Sequence, residues 1–359
     1  MMKLLIAAGG TGGHIFPGLA VAEAFIAADA TNKVLFVGTS QGMEGRIIPA
    51  HGFSLLKIKA QPFLGQSFFR KVSTMLSIMK GVAQCVRIMR REKPDMVIGM
   101  GGFTCVPVMI AAFILRLPRF LHEQNVVPGL ANQLLCRIAD KTFISFPKTS
   151  EYLKGRVLHT GNPVRKKLRA ASSVASLPRD DDLFNIFVFG GSRGARSINE
   201  AVLLLLPYLE SYKNTAIYHQ TGNDDYEKVK EAYTTVKIPH EVFPFTDEME
   251  KYYGLSDVVI SRAGASTIFE LSYFKKPAVL VPYPFAAGGH QWKNAAYVEE
   301  IGGAHIVNND ELSGEILHEL LKELHESPEL RRRMAERMGT IYVDKSEELI
   351  VKGMAGNVS

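Results

Sequence analysis

Short apolar segments alternate with segments of helical periodicity along the chain. In the first half, the predicted strands are 3–8, 33–38, 95–99, 119–121 and 141–145, and the predicted helices are 17–29, 42–51, 68–93, 104–116 and 128–138. Strands that alternate with helices in this way form parallel sheets with helices on both faces.

A Ser/Ala-rich, charged segment at 166–183 interrupts the alternation and predicts a linker. The pattern then restarts, with strands predicted at 184–189, 215–219, around Val242, 257–261, 278–281 and 305–307, and helical sequence continuing to about residue 355. We therefore predict an α/β protein with two doubly wound parallel-sheet domains, 1–165 and 184–338. Whether a final helix in 339–359 packs back on the first domain is left open.

Composition excludes a disordered chain and a multi-span membrane protein, because 47% of the 359 residues are hydrophobic and 22% are charged. The longest apolar stretch, 105–115, is too short to cross a bilayer. Three cysteines without a CxxC pair indicate a reduced, cytosolic compartment. Residues 1–167 contain 22 Lys and Arg against 8 Asp and Glu, and the remainder contains 20 against 28. The basic first half therefore predicts an anionic partner.

Each half opens with a strand that runs into glycines, at 9–13 and from Gly190 onward. Backbone N–H groups at such a turn and at the following helix N-terminus bind phosphate. Ile15 and Arg193 break the dinucleotide GxGxxG spacing, and no GxxxxGK[ST] motif occurs. These loops predict phosphate binding without an NAD or ATP signature, although any single one could be only a tight turn.

Eight segments in order carry a more specific signal: GGTGGHIFPGLAVAE, GMGGF, HEQNVVPGLAN, TGNPVR, GGSRGARSIN, FTDEM, SRAGASTIFEL and HQWKNA. Together they resemble the MurG family of peripheral membrane N-acetylglucosaminyltransferases. That family converts lipid I to lipid II in bacterial peptidoglycan synthesis, and so serves cell-wall biogenesis, cell shape and cell division. The resemblance implies a GT-B fold, with two Rossmann-like domains and an interdomain cleft. It also implies inverting transfer of GlcNAc from UDP-GlcNAc to the C4 hydroxyl of undecaprenyl-diphospho-MurNAc-pentapeptide.

Inverting transfer needs a base for the proton of the attacking hydroxyl, and His14 follows the first glycine loop. Glu123 is the alternative base, and His14 could instead only orient the loop. The resemblance implies acceptor contacts at Gly12, Gly13, Gly101, Gly102, Phe103 and Asn125, and donor contacts at Thr11, Gly12, Gly13, Asn125 and Arg165. Phe103 lacks the phenol hydroxyl usual in the family, with Thr104 as a potential substitute.

In the second half the resemblance implies donor contacts at Ser192, Thr246, Met249, Ala265, Ser266, Thr267, Glu270, His290 and Gln291. Glu270 would accept hydrogen bonds from the ribose hydroxyls, and Gln291 would recognise the hydroxyl groups of GlcNAc. Without the resemblance, Glu270 is a solvated helix residue. The family often has Gln where Arg193 stands. No DxD motif appears in the matching region, so no metal or required cofactor is predicted, and Mg²⁺ on the diphosphate is left open.

Residues 63–91 combine apolar positions at helical spacing with basic ones, which indicates either a membrane-facing helix or a core helix with solvated cations. We predict a membrane patch that 113–120 completes, formed by Phe68, Phe69, Met75, Met79, Arg87 and Arg90. Val82, Val86 and Met89 continue its apolar stripe. The predicted location is cytoplasmic, on the inner face of the cell membrane. The anionic surface of that membrane is a predicted partner, and nucleic acid is not. Whether cell-wall synthesis proteins are also partners is left open.

Two other functions fit the same motifs. A UDP-GlcNAc 2-epimerase would share the fold without needing a membrane patch. A protein that binds nucleotide sugars or polyprenyl phosphates without catalysis would share the glycine loops. An epimerase acts on UDP-GlcNAc without an acceptor, and a binding protein releases no UDP.

Overall fold

The computed structural model describes residues 1–39, 42–58, 68–170, 182–191, 193–212 and 214–356, apart from the side chains of 68–76 and 170. The chain divides into two compact units, Met1–Arg165 with Val343–Ser359, and Lys166–Tyr342. Each unit contains its own parallel sheet covered by helices. The predicted class, two parallel-sheet α/β domains, is therefore confirmed.

The first unit is built on a seven-stranded sheet in the order β3-β2-β1-β4-β5-β6-β7. Its elements are β1 (Lys3–Ala7), α1 (Gly12–Ala28), β2 (Lys33–Gly38), α2 (Glu44–Ala50), β3 (Ser54–Lys57), α3 (Phe68–Glu92), β4 (Met96–Gly99), α4 (Cys105–Ile114), β5 (Arg119–Glu123), α5 (Leu130–Leu135), β6 (Lys141–Ile144), β7 (Val157–His159) and the C-terminal α14 (Ser346–Ala355). The direction of winding reverses between β1 and β4. Ligands of such sheets bind beyond the carboxyl ends of the strands at this reversal.

Strand β1 shows how the apolar pattern builds the first unit. Successive side chains of a strand point to opposite faces, so Leu4 and Ile6 enter one core layer and Leu5 and Ala7 the other. The first layer includes Ile350 and Met354, because α14 packs against α1. Burial on both faces explains why the central strands read as continuous apolar runs.

The second unit has a six-stranded parallel sheet in the order β10-β9-β8-β11-β12-β13. Its elements are α6 (Lys166–Ala170), β8 (Phe184–Phe189), α7 (Arg196–Leu209), β9 (Thr215–Gln220), α8 (Tyr226–Tyr233), β10 (His240–Phe243), α9 (Met249–Leu255), β11 (Val258–Ser261), α10 (Ala265–Tyr273), β12 (Ala278–Leu280), α11 (His290–Glu300), β13 (Ala304–Ile306), α12 (Gly314–Glu326) and α13 (Pro328–Gly339). Its winding reverses between β8 and β11, which repeats the plan of the first unit.

The structure corrects four local predictions. Helix α1 begins at Gly12 rather than at residue 17, because the amides of His14 and Ile15 already donate to the Thr11 carbonyl. Strands β3 and β7 were not predicted, since these short edge strands are largely exposed and lack an apolar run. Lys166–Ala170, predicted as the start of a linker, forms helix α6, and residues 171–181 lie outside the described part.

Candidate active site

His14 lies in the first turn of α1, directly beyond the carboxyl end of β1. Its Nδ1 is 3.2 Å from the carbonyl oxygen of Gly9 and 3.4 Å from Oγ1 of Thr11. Because a carbonyl oxygen can only accept, Nδ1 carries the proton, and the neutral imidazole keeps its lone pair on Nε2. The loop thus holds the tautomer that a general base requires at Nε2.

Gly101 and Gly102, beyond the carboxyl end of β4, lie against the His14 ring. Both have positive φ, +100° and +78°. A Cβ on Gly101 would stand 3.0 Å from Cδ2 and Nε2 of His14, and one on Gly102 would stand 3.4 Å from Cε1 and Nδ1. Both positions therefore require glycine for two reasons, the left-handed backbone conformation and the close approach of the His14 imidazole.

Glu123, at the end of β5, is buried and uses both carboxylate oxygens. Oε1 accepts hydrogen bonds from the backbone and side-chain nitrogens of Asn125, at 2.9 and 3.2 Å. Oε2 accepts from the Asn132 side chain at 2.8 Å and from the Gly129 amide at 3.3 Å. Burial raises the pKa of the Glu123 carboxyl against the opposing effect of these donors. This carboxylate therefore organises the 123–132 segment.

A second buried carboxylate, Glu44, supports the first glycine loop and was missed by the sequence reasoning. It accepts from the amide and hydroxyl of Thr39, at 2.9 and 2.7 Å, and from the Gly10 amide at 3.2 Å. Burial acts to raise the pKa of Glu44, but these hydrogen bonds outweigh it and hold the pKa below its usual value. Nothing in the spacing of Glu44 distinguishes it from an ordinary residue of a helix's first turn.

His122 and Gln124 connect β5 to β4 behind the site. Nε2 of Gln124 donates to the Met100 carbonyl at 2.8 Å and to Nδ1 of His122 at 2.9 Å. Nε2 of His122 therefore carries the proton and donates to the Gly161 carbonyl, 3.3 Å away. Burial lowers the pKa of His122 to about 4, so this histidine stays neutral near His14.

The structure places Arg165, Phe103 and Thr104 at different positions around the loop that follows β1. The Arg165 guanidinium lies 5.5 Å from the centre of the Phe16 ring, two residues after His14. The Phe103 ring packs near Gly10. Thr104 is fully buried beneath Gly9, so its hydroxyl cannot take the place of the missing phenol at the surface.

In the second unit, the loop after β8 packs backbone to backbone against the loop after β9. A Cβ on Gly194 would stand 2.0 Å from the Thr221 carbonyl oxygen, and one on Gly222 2.3 Å from that of Arg193. The Gly191 carbonyl accepts from Nε2 of Gln220 at 3.1 Å. Predicted donor residue Ser192 lies outside the described residues, while Arg193 is exposed.

Glu270 is not the solvated residue that its position on a helix would suggest. It is 7% exposed, and its Oε2 accepts a hydrogen bond from the Tyr253 hydroxyl at 2.9 Å. Ala265, Ser266 and Thr267 form the first turn of the same helix, α10, after the extended cap residue Gly264. The Ser266 hydroxyl oxygen is buried and has no hydrogen-bond partner among the described residues. This turn and Glu270 therefore offer an anion site followed by a hydroxyl-binding carboxylate.

Arg262 ties together the loops around α10. Its Nη1 donates to the carbonyls of Val281 and Pro282, at 3.1 and 3.2 Å, and to Oδ1 of Asn309 at 2.9 Å. Its Nη2 donates to the Ser197 hydroxyl at 2.9 Å. Burial lowers the pKa of Arg262, which remains a cation at any ordinary pH.

The other predicted donor residues follow strands β10 and β12. Thr246 caps a turn by accepting from the Glu248 amide at 3.0 Å, and Met249 is buried at the start of α9. Gln291 accepts from the Tyr283 amide at 2.9 Å, and Nδ1 of His290 bonds the Ala287 carbonyl at 2.7 Å. The second unit therefore brings most of the predicted donor residues to the carboxyl edge of its sheet.

The predicted membrane patch is only partly open to test. The side chains of Phe68, Phe69 and Met75 lie outside the described residues. Met79 is 63% exposed, and Arg87 and Arg90 are exposed. The prediction that Val82, Val86 and Met89 continue the apolar stripe of the patch was wrong. Met89 is buried in the core of the first unit, and Val82 and Val86 pack against that core. In the described part of the chain, no helix has both the length and the apolar character to span a bilayer.

Metal ligands do not cluster in the described residues, where no three His, Cys, Asp or Glu side chains come close enough to hold an ion. The cysteines Cys85, Cys105 and Cys136 are free and buried. Burial raises the pKa of Cys85 and of Cys105 to about 12. These two thiols are therefore neutral, and they serve packing rather than chemistry.

Two family models match this chain: the glycosyltransferase family 28 N-terminal domain over residues 4–144 and the family's C-terminal domain over residues 185–349. The chain belongs to glycosyltransferase family 28. A relative from Geobacter sulfurreducens is 40% identical over 338 residues, 93% of each chain. It is named UDP-N-acetylglucosamine–N-acetylmuramyl-(pentapeptide) pyrophosphoryl-undecaprenol N-acetylglucosamine transferase.

Solved structures agree with membership of family 28. The structure of Acinetobacter baumannii MurG is similar with a TM-score of 0.83 and 29% identity, covering 99% of this chain and 100% of that one. UDP-GlcNAc 2-epimerase from Neisseria meningitidis has a TM-score of 0.70 at 16% identity, covering 99% and 100%. The second likeness concerns the fold alone. The resemblance and the GT-B fold predicted from the motifs are confirmed.

Proposed function

We propose that this family 28 protein transfers GlcNAc from UDP-GlcNAc to the C4 hydroxyl of undecaprenyl-diphospho-MurNAc-pentapeptide, lipid I, and so makes lipid II for peptidoglycan. The relatives at about 40% identity are named for this activity. The observation within the fold that supports it best is His14, held by the Gly9 carbonyl with its lone pair on Nε2.

In the reaction, the acceptor C4 oxygen attacks C1 of GlcNAc from the face opposite the diphosphate. The new C1–O4 bond forms while the bond from C1 to the diphosphate oxygen breaks, and UDP leaves with the electron pair. The hydroxyl proton passes to Nε2 of His14. One displacement converts the α-linked donor into a β1→4 product, and general base catalysis of this kind contributes a factor of about 100 to 10,000.

His14 suits the role of base better than Glu123. Both carboxylate oxygens of Glu123 accept hydrogen bonds, and the donors belong to Asn125, Gly129 and Asn132. A base must present a lone pair to the substrate, and moving Glu123 would leave several buried donors unsatisfied. We assign Glu123 to positioning Asn125, which with the glycines of the first unit contacts the acceptor.

We assign the donor to the second unit. The α10 N-terminus supplies backbone N–H groups for the diphosphate, and the helix dipole favours its negative charge. Tyr253 holds the Glu270 carboxylate, which accepts from the ribose hydroxyls. Gln291 and His290 lie at the start of α11 for the GlcNAc hydroxyls, and Arg165 of the first unit supplies a cation for a substrate diphosphate.

We also propose that the first unit attaches to an anionic membrane surface, since the acceptor carries a polyprenyl chain. The exposed Met79, Arg87 and Arg90 of α3 support this, together with Phe113 and Ile114 at the end of α4, which are 50% and 56% exposed. Interfacial binding combines such apolar contacts with attraction between basic side chains and anionic lipids.

A UDP-release assay with a short-chain lipid I analogue tests the activity. We expect release that requires the acceptor, and a fall of about 100- to 10,000-fold in kcat for His14→Ala. His51→Ala is the matched control, because the His51 ring also bonds a backbone carbonyl, that of Ile47 at 2.9 Å, but is exposed on α2's C-cap. Conversion of UDP-GlcNAc without acceptor would indicate an epimerase, and binding without UDP release a binding protein.

A further inference from the structure

A single amide group connects the buried carboxylate of Glu44 to the imidazole of His14. The Gly10 N–H donates to Oε2 of Glu44 at 3.2 Å, and the Gly9 carbonyl oxygen accepts from Nδ1 of His14, also at 3.2 Å. The Gly9 carbonyl and the Gly10 N–H belong to the same trans amide, so they point in opposite directions. Carboxylate, amide and imidazole therefore form one continuous hydrogen-bonded chain.

The structure around Glu44 fixes its carboxylate at one end of this chain. The Glu44 side chain is fully buried, and its Oε1 accepts from the amide and the hydroxyl of Thr39, at 2.9 and 2.7 Å. A Cβ on Gly9 would stand 2.9 Å from Oε1, and one on Gly42 would stand 1.9 Å from Oε2. The loops after β1 and β2 and the segment before α2 thus close around the two carboxylate oxygens.

The carboxylate at the far end of the chain is charged. Burial acts to raise the pKa of Glu44, but the hydrogen bonds from Thr39 and Gly10 hold that pKa below its usual value. A carboxylate that accepts from an amide N–H favours the resonance form with more negative charge on the carbonyl oxygen. The Gly9 carbonyl then accepts more strongly from Nδ1–H of His14, and most strongly when the ring is an imidazolium.

We propose that Glu44 is a positioning residue for the general base: acting through the Gly9–Gly10 amide, it fixes the Nδ1–H tautomer of His14 and raises the basicity of Nε2. The inference rests on the role of His14 in the transfer proposed above. When the acceptor hydroxyl proton moves to Nε2, the proton on Nδ1 stays in place, and the carboxylate stabilises the positive charge of the ring. In serine hydrolases a third group orients the base directly, whereas here an amide lies between the two side chains.

Other titratable or charged groups come from the elements around His14. They are His122 and Glu123 of β5, Cys105 of α4, Arg165 beside Phe16, and the buried Glu347 of α14, which packs against α1. Burial lowers the pKa of His122 to about 4 and raises that of Cys105 to about 12, so both are neutral near pH 7. Because all five groups are kept in the variants compared below, a difference in the His14 titration reports the change at Glu44.

The first test measures the titration of the His14 imidazole by NMR in the wild type, in Glu44→Gln and in Thr39→Val. Glu44→Gln removes the charge and keeps the shape of the side chain. Thr39→Val is the matched control, because it removes one hydrogen bond to Glu44 and leaves the charge in place. A charge roughly 8 Å away at an effective dielectric constant of about 20 moves a titration midpoint by about one pH unit, so we expect Glu44→Gln to titrate about one unit lower than the wild type. Thr39→Val should titrate as the wild type does.

The kinetics of transfer separate an effect through His14 from a structural one. Glu44→Gln should move the acid limb of the pH profile of kcat/KM down by the same amount and lower kcat up to about tenfold. In the His14→Ala background the same substitution should change kcat by less than about twofold, because the group through which it acts is gone. An equal loss of kcat in both backgrounds, or an unshifted His14 titration in Glu44→Gln, would overturn the proposal.

A measurement on the wild type alone needs no substitution in the buried loop. As His14 gains a proton, the Gly10 N–H should donate more strongly to Glu44, so the Gly10 amide proton should move downfield with the midpoint of the His14 titration. A Gly10 resonance that stays still across that titration would overturn the hydrogen-bonded chain. A wild type that shows the coupled titration but releases no UDP would keep the link between Glu44 and His14 and overturn the proposed transfer, so the two failures are distinguishable.

Discussion

Replacing Gly101 with alanine, Gly101→Ala, places a methyl group against the imidazole of His14. The new Cβ would stand 3.0 Å from Cδ2 and Nε2 of the ring, where ordinary contacts begin at 3.4 Å. The ring must therefore move by a few tenths of an ångström, up to about half an ångström. Because a misplacement of about 1 Å can cost about 100-fold in rate, we expect about a tenfold loss of kcat from this shift.

Backbone strain adds a separate effect on stability. A φ of +100° suits glycine, and forcing an L-residue into the left-handed region costs about 1–2 kcal/mol. Gly52→Ala is the matched control, since Gly52 has a φ of +79° and, apart from its chain neighbours, no described residue places an atom within 4 Å of its Cβ position. Both variants should melt several degrees lower than the wild type, and only Gly101→Ala should lose kcat.

The assay is UDP release at saturating UDP-GlcNAc and lipid I analogue, with thermal unfolding measured on the same preparations. The KM for UDP-GlcNAc should stay unchanged, because Gly101 belongs to the acceptor-binding unit. If Gly101→Ala retained a kcat within twofold of Gly52→Ala, the close placement of the His14 ring against Gly101 would not matter for catalysis. The reasoning would then be refuted.

Three further predictions follow from individual contacts. Burial lowers the pKa of His122 to about 4 and of His219 to about 3, from 6.5. Between pH 6.5 and pH 4 the unfolded chain therefore binds more protons than the folded chain, so lowering the pH destabilises the fold. Urea titrations should show the free energy of unfolding decreasing by about 1.4 kcal/mol for each unit that the pH is lowered, for each histidine. Tyr253→Phe removes the donor that holds Glu270, so the KM for UDP-GlcNAc should rise up to about tenfold with kcat unchanged; an unchanged KM would contradict the assignment of Glu270. Arg262→Lys cannot reproduce the forked hydrogen bonds, and chemical unfolding should show a loss of about 2 kcal/mol.

The central strands were predictable because each is buried on both faces, and residues 186–189 of β8 show this as an unbroken apolar run. The edge strand Val157–His159 was not, because pairing with one neighbour leaves it largely exposed. The same limit applies to the end of α3. The spacing of Val86 and Met89 fits either a lipid-facing or a core-facing stripe. Only the packing seen in the structure shows that these side chains face the core.

Within the candidate site, the sequence could indicate His14 and the glycine loops because these features are local. It could not separate Glu123 from His14 as base, since the donors to Glu123 come from as far along the chain as Asn132. It also missed Glu44, whose partners are backbone and hydroxyl groups of the Thr39 and Gly10 loops. Roles that depend on contacts between separate loops leave no signature in spacing.

The most direct measurement of the central claim is the structure of the product. Purified protein would be incubated with UDP-GlcNAc and a short-chain lipid I analogue, and the recovered lipid examined by mass spectrometry and proton NMR. We predict an acceptor heavier by one N-acetylhexosamine, joined to the MurNAc C4 oxygen in β-configuration, and formed at least about 100-fold more slowly when His14 is alanine. An unmodified acceptor alongside intact or epimerised UDP-GlcNAc, or an α-linked product, would contradict the account.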